Sequence, residues 1–254
     1  MGAFMTTQQA QFIRRIQELE ETSYRNNQFL FTDFLNEAEY ADVLSLGKPA
    51  CGMAADGGHE GAERVIVRFG DPESFGYEEP FPIRILRIEP LLEKYADALT
   101  HRDFLGALVN LGIDRRVLGD ILIDGVTAYL LCRDHIADYI CENLTKVKHT
   151  NVRCLEVKSI PEALRPKPVS RQIQVSSVRL DAVVAHVYNL SRSQAQEVFR
   201  SQRVFVNGRL MENLTYEPKD GDMISVRHCG RFRYTGLERM TRKGKHSVLV
   251  EQYI

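Results

Sequence analysis

Several features are scarce in this chain of 254 residues, and each scarcity removes a class of protein. No apolar run approaches the roughly 20 residues that a membrane helix needs; the longest candidate, residues 126–132, is strand-sized. The first residues lack the basic start and apolar stretch of a secretion signal, so the expected compartment is the cytoplasm, with no membrane partner. The five cysteines include no C-x-x-C pair and their number is odd, which predicts reduced thiols rather than a disulfide framework. Cys132 with His135, and His149 with Cys154, have ligand-like spacing, but no second pair of thiols completes a zinc site. No metal and no cofactor is expected. Internal repeats and low-complexity tracts are also missing. A hydrophobic share of 44% and a charged share of 26% are ordinary for a chain that builds two or three packed units.

Charge is present in an uneven way. Residues 170–254 hold 14 Lys and Arg against 8 Asp and Glu, a balance of +6. Residues 1–169 hold 19 against 26, a balance of −7, so the net −1 conceals a polarised molecule. A basic module on an acidic body points to a polyanion, most simply a nucleic acid.

Hydrophobic spacing predicts helices over 8–21 and 27–46, then a glycine turn at 57–61 and a strand over 64–69. The turn lacks the G-K-[ST] ending of a phosphate cradle, and His59, Glu60 and Glu63 are read as solvated loop residues rather than an acid/base or metal cluster. An acidic, turn-rich stretch to about residue 79 closes this N-terminal α+β part. Residues 80–160 have a clearer order: strand 81–88, a helix capped by Thr100, two strands joined by Asp124-Gly125, a helix over 133–144 and a strand over 151–157. That is β-α-β-β-α-β, the ferredoxin-like arrangement used by many RNA-binding domains. The stacking aromatics of such domains are lacking, because the third strand offers only Tyr129. Prolines 161, 166 and 168 make residues 161–176 read as a linker.

Residues 177–254 then form a small basic domain. A helix runs to about Tyr188, and Ser191 or Ser193 caps a second one. Val204-Phe205-Val206 is a strand, and Asn207-Gly208 signals a type I′ hairpin. In Arg231-Phe232-Arg233-Tyr234, basic and aromatic residues alternate, so a strand there puts both arginines on one face. The string RLDAVVAHVYNLSRSQAQEVFRSQRVFVNGR, followed by GDMISVRHCGRF, resembles the RNA-binding domain named after small-subunit ribosomal protein S-four. All four elements of that pattern occur in order: RLD, SRS-x-A, V-x-VNG and GD-x-I-x-VR. The resemblance implies RNA contacts from Arg179, Ser191, Arg192, Ser193, Gln194, Arg203, Asn207, Gly208, Arg209 and Arg227. Arg231 and Arg233 would extend that surface. Gln202 and His228 stand where the pattern usually has glycine.

With HRD-x-LG at 101–106 and R-x-x-GDI at 116–121, nearly the whole chain resembles the bacterial YlmH family. That resemblance implies a ribosome-associated protein that serves quality control of stalled large subunits, in contact with their rRNA, tRNA and quality-control factors, with a link to cell division. Arg115 and Arg116 are the candidates for a secondary RNA contact in the middle domain. His101-Arg102-Asp103 is not a kinase catalytic loop, since Leu108 stands where asparagine is needed and no metal-binding DFG follows. The expectation is an α+β, non-enzymatic monomer with no catalytic residues. The alternative is an RNA-modifying enzyme, similar to a pseudouridine synthase, that uses the basic module as an anchor.

Overall fold

The computed structural model describes residues 7–240 and 244–253. The chain divides into two compact units, Met1–Arg165 and Pro166–Ile254. The first opens with helix α1 (Thr7–Asn26), which ends where Asn27 takes the left-handed φ of 48°. The helix expected over 27–46 is confined to α2 (Glu37–Ser45). Before it, β1 (Leu30–Phe31) joins β3 (Ile66–Phe69), and β2 (Met53–Asp56) lies on the other side of β3. Asn36 explains where α2 begins: its side chain accepts from the Ala38 and Glu39 N–H groups at 2.9 and 3.0 Å, and Glu39 returns a bond to the Asn36 N–H. A single-turn helix, α3 (Pro72–Phe75), leads out of this part.

The middle elements follow the expected order: β4 (Ile83–Pro90), α4 (His101–Asn110), β5 (Leu118–Asp124), β6 (Thr127–Arg133), α5 (Asp134–Asn143), the two-residue β7 (Lys146–Val147) and β8 (Thr150–Val157). Their sheet runs β5-β6-β4-β8-β7, antiparallel throughout. His101-Arg102-Asp103 starts α4, and the Asp103 carboxylate accepts from the Thr100 N–H and hydroxyl, each at 2.8 Å. One face of the sheet packs Leu86, Ile88, Leu130 and Cys132 against Phe104, Leu108, Ala137 and Ile140 of the helices.

The other face is also covered. Ile83, Ile85, Tyr129 and Leu131 alternate with the first set and meet Phe34, Ile66 and Ile160. Tyr129 is therefore a core residue and not an exposed ring. The glycine turn closes down on the same face: a Cβ on Gly58 would stand 2.3 Å from Leu131 Cδ2. Next to it His59, expected in solvent, is buried with its side chain 1% exposed and Nε2 3.0 Å from Asp120 Oδ2. Arg64 donates to the carbonyls of Leu118 and Phe34 at 2.8 Å each, and Arg133 donates to Thr32 O at 2.7 Å. Residues 1–79 and 80–160, read from sequence as separate domains, each keep an apolar cluster of their own and meet in a third, with polar contacts between them.

The second unit starts inside the expected linker. Strand β9 (Pro168–Val175) pairs over eight residues with β14 (His246–Tyr253). Its prolines mask this in the sequence, but Pro168 is the first residue of an edge strand, where a missing N–H is tolerated. Between these come α6 (Leu180–Val187), α7 (Arg192–Arg200), β10 (Val204–Val206), β11 (Arg209–Leu210), β12 (Met223–Val226) and β13 (Gly230–Met240). The sheet order is β11-β10-β12-β13-β14-β9. Leu180, Val183, Val184 and Val187 of α6, with Val198 and Phe199 of α7, cover the inward residues of five strands, among them Val204, Ile224, Phe232, Val250 and Ile173. Each buried side chain of this kind contributes roughly 1.5–3 kcal/mol.

Candidate nucleic-acid interface

The turn between α6 and α7 builds the first part of the surface. Asn189 takes a φ of 52°, which reverses the chain in four residues without glycine. Ser191, rather than Ser193, then caps α7: its hydroxyl accepts from the Gln194 N–H at 3.2 Å, and Gln194 Oε1 accepts from the Ser191 N–H at 2.8 Å. Ser193 Oγ lies 3.0 Å from Ser191 Oγ. The cap fixes the first turn of α7 and holds Arg192 exposed at its first helical position, with no ion pair among the described residues.

Arg192 faces a cleft of about 620 Å³ whose wall also includes Arg179, His186, Asn189, Ser176 and Ser177. Arg179 is steered into place by Asp181, through bonds of 3.1 Å from Nε and 2.8 Å from Nη2. The pair leaves the Arg179 side chain 41% exposed. Two guanidiniums, hydroxyls and a helix start around one open cleft can hold phosphate oxygens by charge-assisted hydrogen bonds.

The hairpin follows the β10 strand. Asn207 and Gly208 take φ values of 49° and 70°, as a type I′ turn requires. The Asn207 amide, however, is used within the fold: Nδ2 donates to Asp222 Oδ1 at 2.8 Å, and Oδ1 accepts from the Met223 N–H at 2.9 Å. Gln194 is likewise engaged in the α7 cap. Arg203 donates from Nε to Ser201 Oγ at 2.9 Å and is half-buried. Arg209 lies exposed on β11.

Asp222 is the aspartate of the GD-x-I-x-VR element. It is buried, and besides Asn207 it accepts from the Tyr216 hydroxyl at 2.7 Å and the Lys219 N–H at 2.8 Å. Burial, then the bond to Asp222, pushes the Tyr216 pKa up to about 12. A Gly-Asp step before a strand was the available signal, since a carboxylate there can accept from several turn donors.

Both departures from the glycine pattern fall where glycine would have a reason. Gln202, after α7, has a φ of 54°, and His228, between β12 and β13, has a φ of 68°. The loops keep the glycine shape at a cost in strain.

Arg227, Arg231 and Arg233 do not join the cleft. They belong to the sheet face turned away from α6 and α7, with Arg227 4.6 Å above the Phe205 ring and Arg231 4.9 Å from that of Tyr253. In the first unit, Arg115 and Arg116 lie exposed on a short turn ahead of β5. Arg116 is held by Asp114 at 2.7 Å.

Two family models match this chain. The one described as "Putative RNA-binding domain in YlmH" covers residues 77–160, and the S4 domain covers residues 178–224. Across the full length, the chain is 30% identical over 251 residues to "Ribosome-associated protein quality control protein P2" of Bacillus subtilis strain 168, covering 95% of this chain and 94% of that one. The chain belongs to the YlmH family. A solved structure titled "Cell division protein ylmH from Streptococcus pneumoniae" is 22% identical, with a TM-score of 0.48, over 62% of this chain and 96% of its own. In this chain the matched S4 span contains the hairpin, Asp222 and the cleft apart from Ser176 and Ser177, while β13, β14 and β9 lie outside it. Among the described residues no group of three or more His, Cys, Asp or Glu is arranged to hold a metal, and no helix is long and apolar enough to cross a membrane.

Proposed function

We propose that this chain is a non-enzymatic RNA-binding protein that acts in the cytoplasm on the large ribosomal subunit, where it supports rescue of stalled nascent chains. The observation that carries the reading is the cleft bearing Arg179 and Arg192 within an S4 domain, in a chain related over its whole length to a ribosome-associated quality-control protein. The α6–α7 cleft and the exposed arginines anchor the protein on structured RNA through Arg179, Ser191, Arg192, Ser193, Arg203, Gly208 and Arg209. Asn207 shapes that surface from within the fold, and Gln194 shapes it through the exposed α7 cap. Arg115 supplies a secondary contact to rRNA or tRNA from the first unit, with Arg116 beside it.

A binder of this kind helps a multistep process by favouring one state of its partner, in proportion to its differential affinity. The favoured state here is a large subunit that retains peptidyl-tRNA. Sedimentation of lysate should place the protein with free large subunits, enriched when stalling is induced, and its isolation should recover tRNA with rRNA. Recovery only from ribosome-free fractions under stalling overturns the reading. A modified nucleotide whose formation depends on Asp181 would replace it with the RNA-modifying enzyme.

A further inference from the structure

The cleft between α6 and α7 is larger than a phosphate contact requires. At about 620 Å³ it falls in the range of recesses that enclose a small organic ligand. Its inner wall is apolar: Ala182 and Ala185 of α6, Leu190 of the turn and Ala195 of α7 are half-buried or buried there. No aromatic ring lies among the described residues that line it. Small side chains on α6 keep the space open, and the exposed His186, Asn189 and Arg192 stand around it.

The polar groups of the rim are uncommitted. His186 Nδ1 lies 2.9 Å from the Ala182 carbonyl oxygen, which can only accept, so Nδ1 carries the hydrogen. The neutral ring then presents Nε2 as an acceptor. Asn189 follows α6 with a φ of 52°, and its amide has no hydrogen-bond partner among the described residues. That amide is both a donor and an acceptor. The carboxylate in the wall, Asp181, is taken up by Arg179 and by the Ala182 N–H at 2.9 Å.

A continuous RNA stem meets a protein with its phosphates and hydroxyls and has nothing to place in a recess. An unpaired base can swing out of the stack and offer a flat face and a polar edge. The cleft matches that shape, with apolar surface for the face, an amide and an imidazole nitrogen for the edge, and guanidiniums for phosphates.

We propose that the α6–α7 cleft receives one unpaired nucleotide turned out of a structured RNA. The base lies against Ala182, Ala185 and Leu190, and its edge meets the Asn189 amide and His186 Nε2. The flanking phosphates meet Arg179 and Arg192. The proposal rests on the RNA-binding reading above and adds which RNA is chosen: a stem interrupted by a bulge, where turning a base out costs least.

The test uses the full chain and three versions of one stem-loop RNA: fully paired, with a single bulged adenosine, and with the same bulge lacking its base. The native chain should bind the adenosine bulge about tenfold more tightly than the paired stem, in keeping with two modest hydrogen bonds to the base. The abasic bulge should bind as the paired stem does. Ala185→Leu keeps a good helix former on α6 and fills the recess, so the ratio of bulged to paired affinity should fall close to unity. Asn189→Gly suits the positive φ and removes the amide; combined with His186→Ala, it should lower the same ratio. If Ala185→Leu is unfolded by circular dichroism, the second variant must show the loss by itself, and the abasic comparison needs no variant. Equal binding of bulged and paired RNA by the native chain overturns the nucleotide pocket and leaves the RNA-binding reading standing. So does an abasic bulge bound as tightly as the adenosine bulge, or a folded pocket variant with the native preference. A native chain that binds none of the three RNAs overturns the RNA-binding reading as well.

Discussion

Asp222 gathers an amide, a phenol and a backbone N–H around one buried carboxylate, and this fixes the hairpin that precedes it. Truncation to alanine leaves all three donors unpaired, so Asp222→Ala should destabilise the second unit by about 3 kcal/mol, measured by chemical unfolding of the isolated unit. Asn207→Ala should likewise lower stability more than it lowers RNA affinity, because both ends of its amide are occupied within the fold. His228 gives the opposite expectation. At a φ of 68° its side chain costs energy that glycine would not, so His228→Gly should raise stability by about 0.5 kcal/mol after glycine's greater unfolded-state entropy is subtracted. Arg192→Glu removes a phosphate partner from an exposed position. It should weaken stem-loop binding by about 1–3 kcal/mol and leave the melting temperature within error, measured by fluorescence titration beside a thermal scan.

At the scale of elements, helix starts and tight turns were legible because their chemistry is local. Thr100, Ser191, Asp124-Gly125 and Asn207-Gly208 all act within three or four residues of themselves. The hidden elements were those whose reason lies far along the chain. Strand β9 is a strand because β14 runs beside it more than seventy residues later, and its prolines pointed the other way. Leu30–Phe31 leaves the expected helix because β3 offers it a partner. The same limit applied to the site: the motif named a dozen residues but could not say that Asn207 is bonded within the fold and Gln194 closes the α7 cap, nor that Arg227, Arg231 and Arg233 sit across the sheet from Arg192. A fragment of residues 177–254, which lacks β9, should therefore melt well below one of residues 166–254, because Val248 and Val250 lose their edge cover; differential scanning of the two fragments decides this.

For the whole molecule, the charge split makes binding strongly dependent on salt. Affinity of residues 166–254 for stem-loop RNA should fall steeply between about 50 and 200 mM salt through counterion release, whereas residues 1–165 should bind far more weakly. Binding by the acidic unit alone would refute this division of labour. Residues 80–160 expressed alone should aggregate, since Ile83, Ile85, Tyr129 and Leu131 would lose Phe34 and Ile66 and form an exposed apolar face. The β9–β14 pair also sets the order in which the protein can mature. Within the second unit, the first strand to be synthesised bonds to the last, at His246–Tyr253. Until His246–Tyr253 has been made, β9 has no neighbour, the inward row of Val248 and Val250 is missing, and the helices have an incomplete surface to settle on. The basic module of every nascent copy thus stays open while the ribosome works through some seventy residues after β9, and a copy cut before His246 lacks the strand that completes its core.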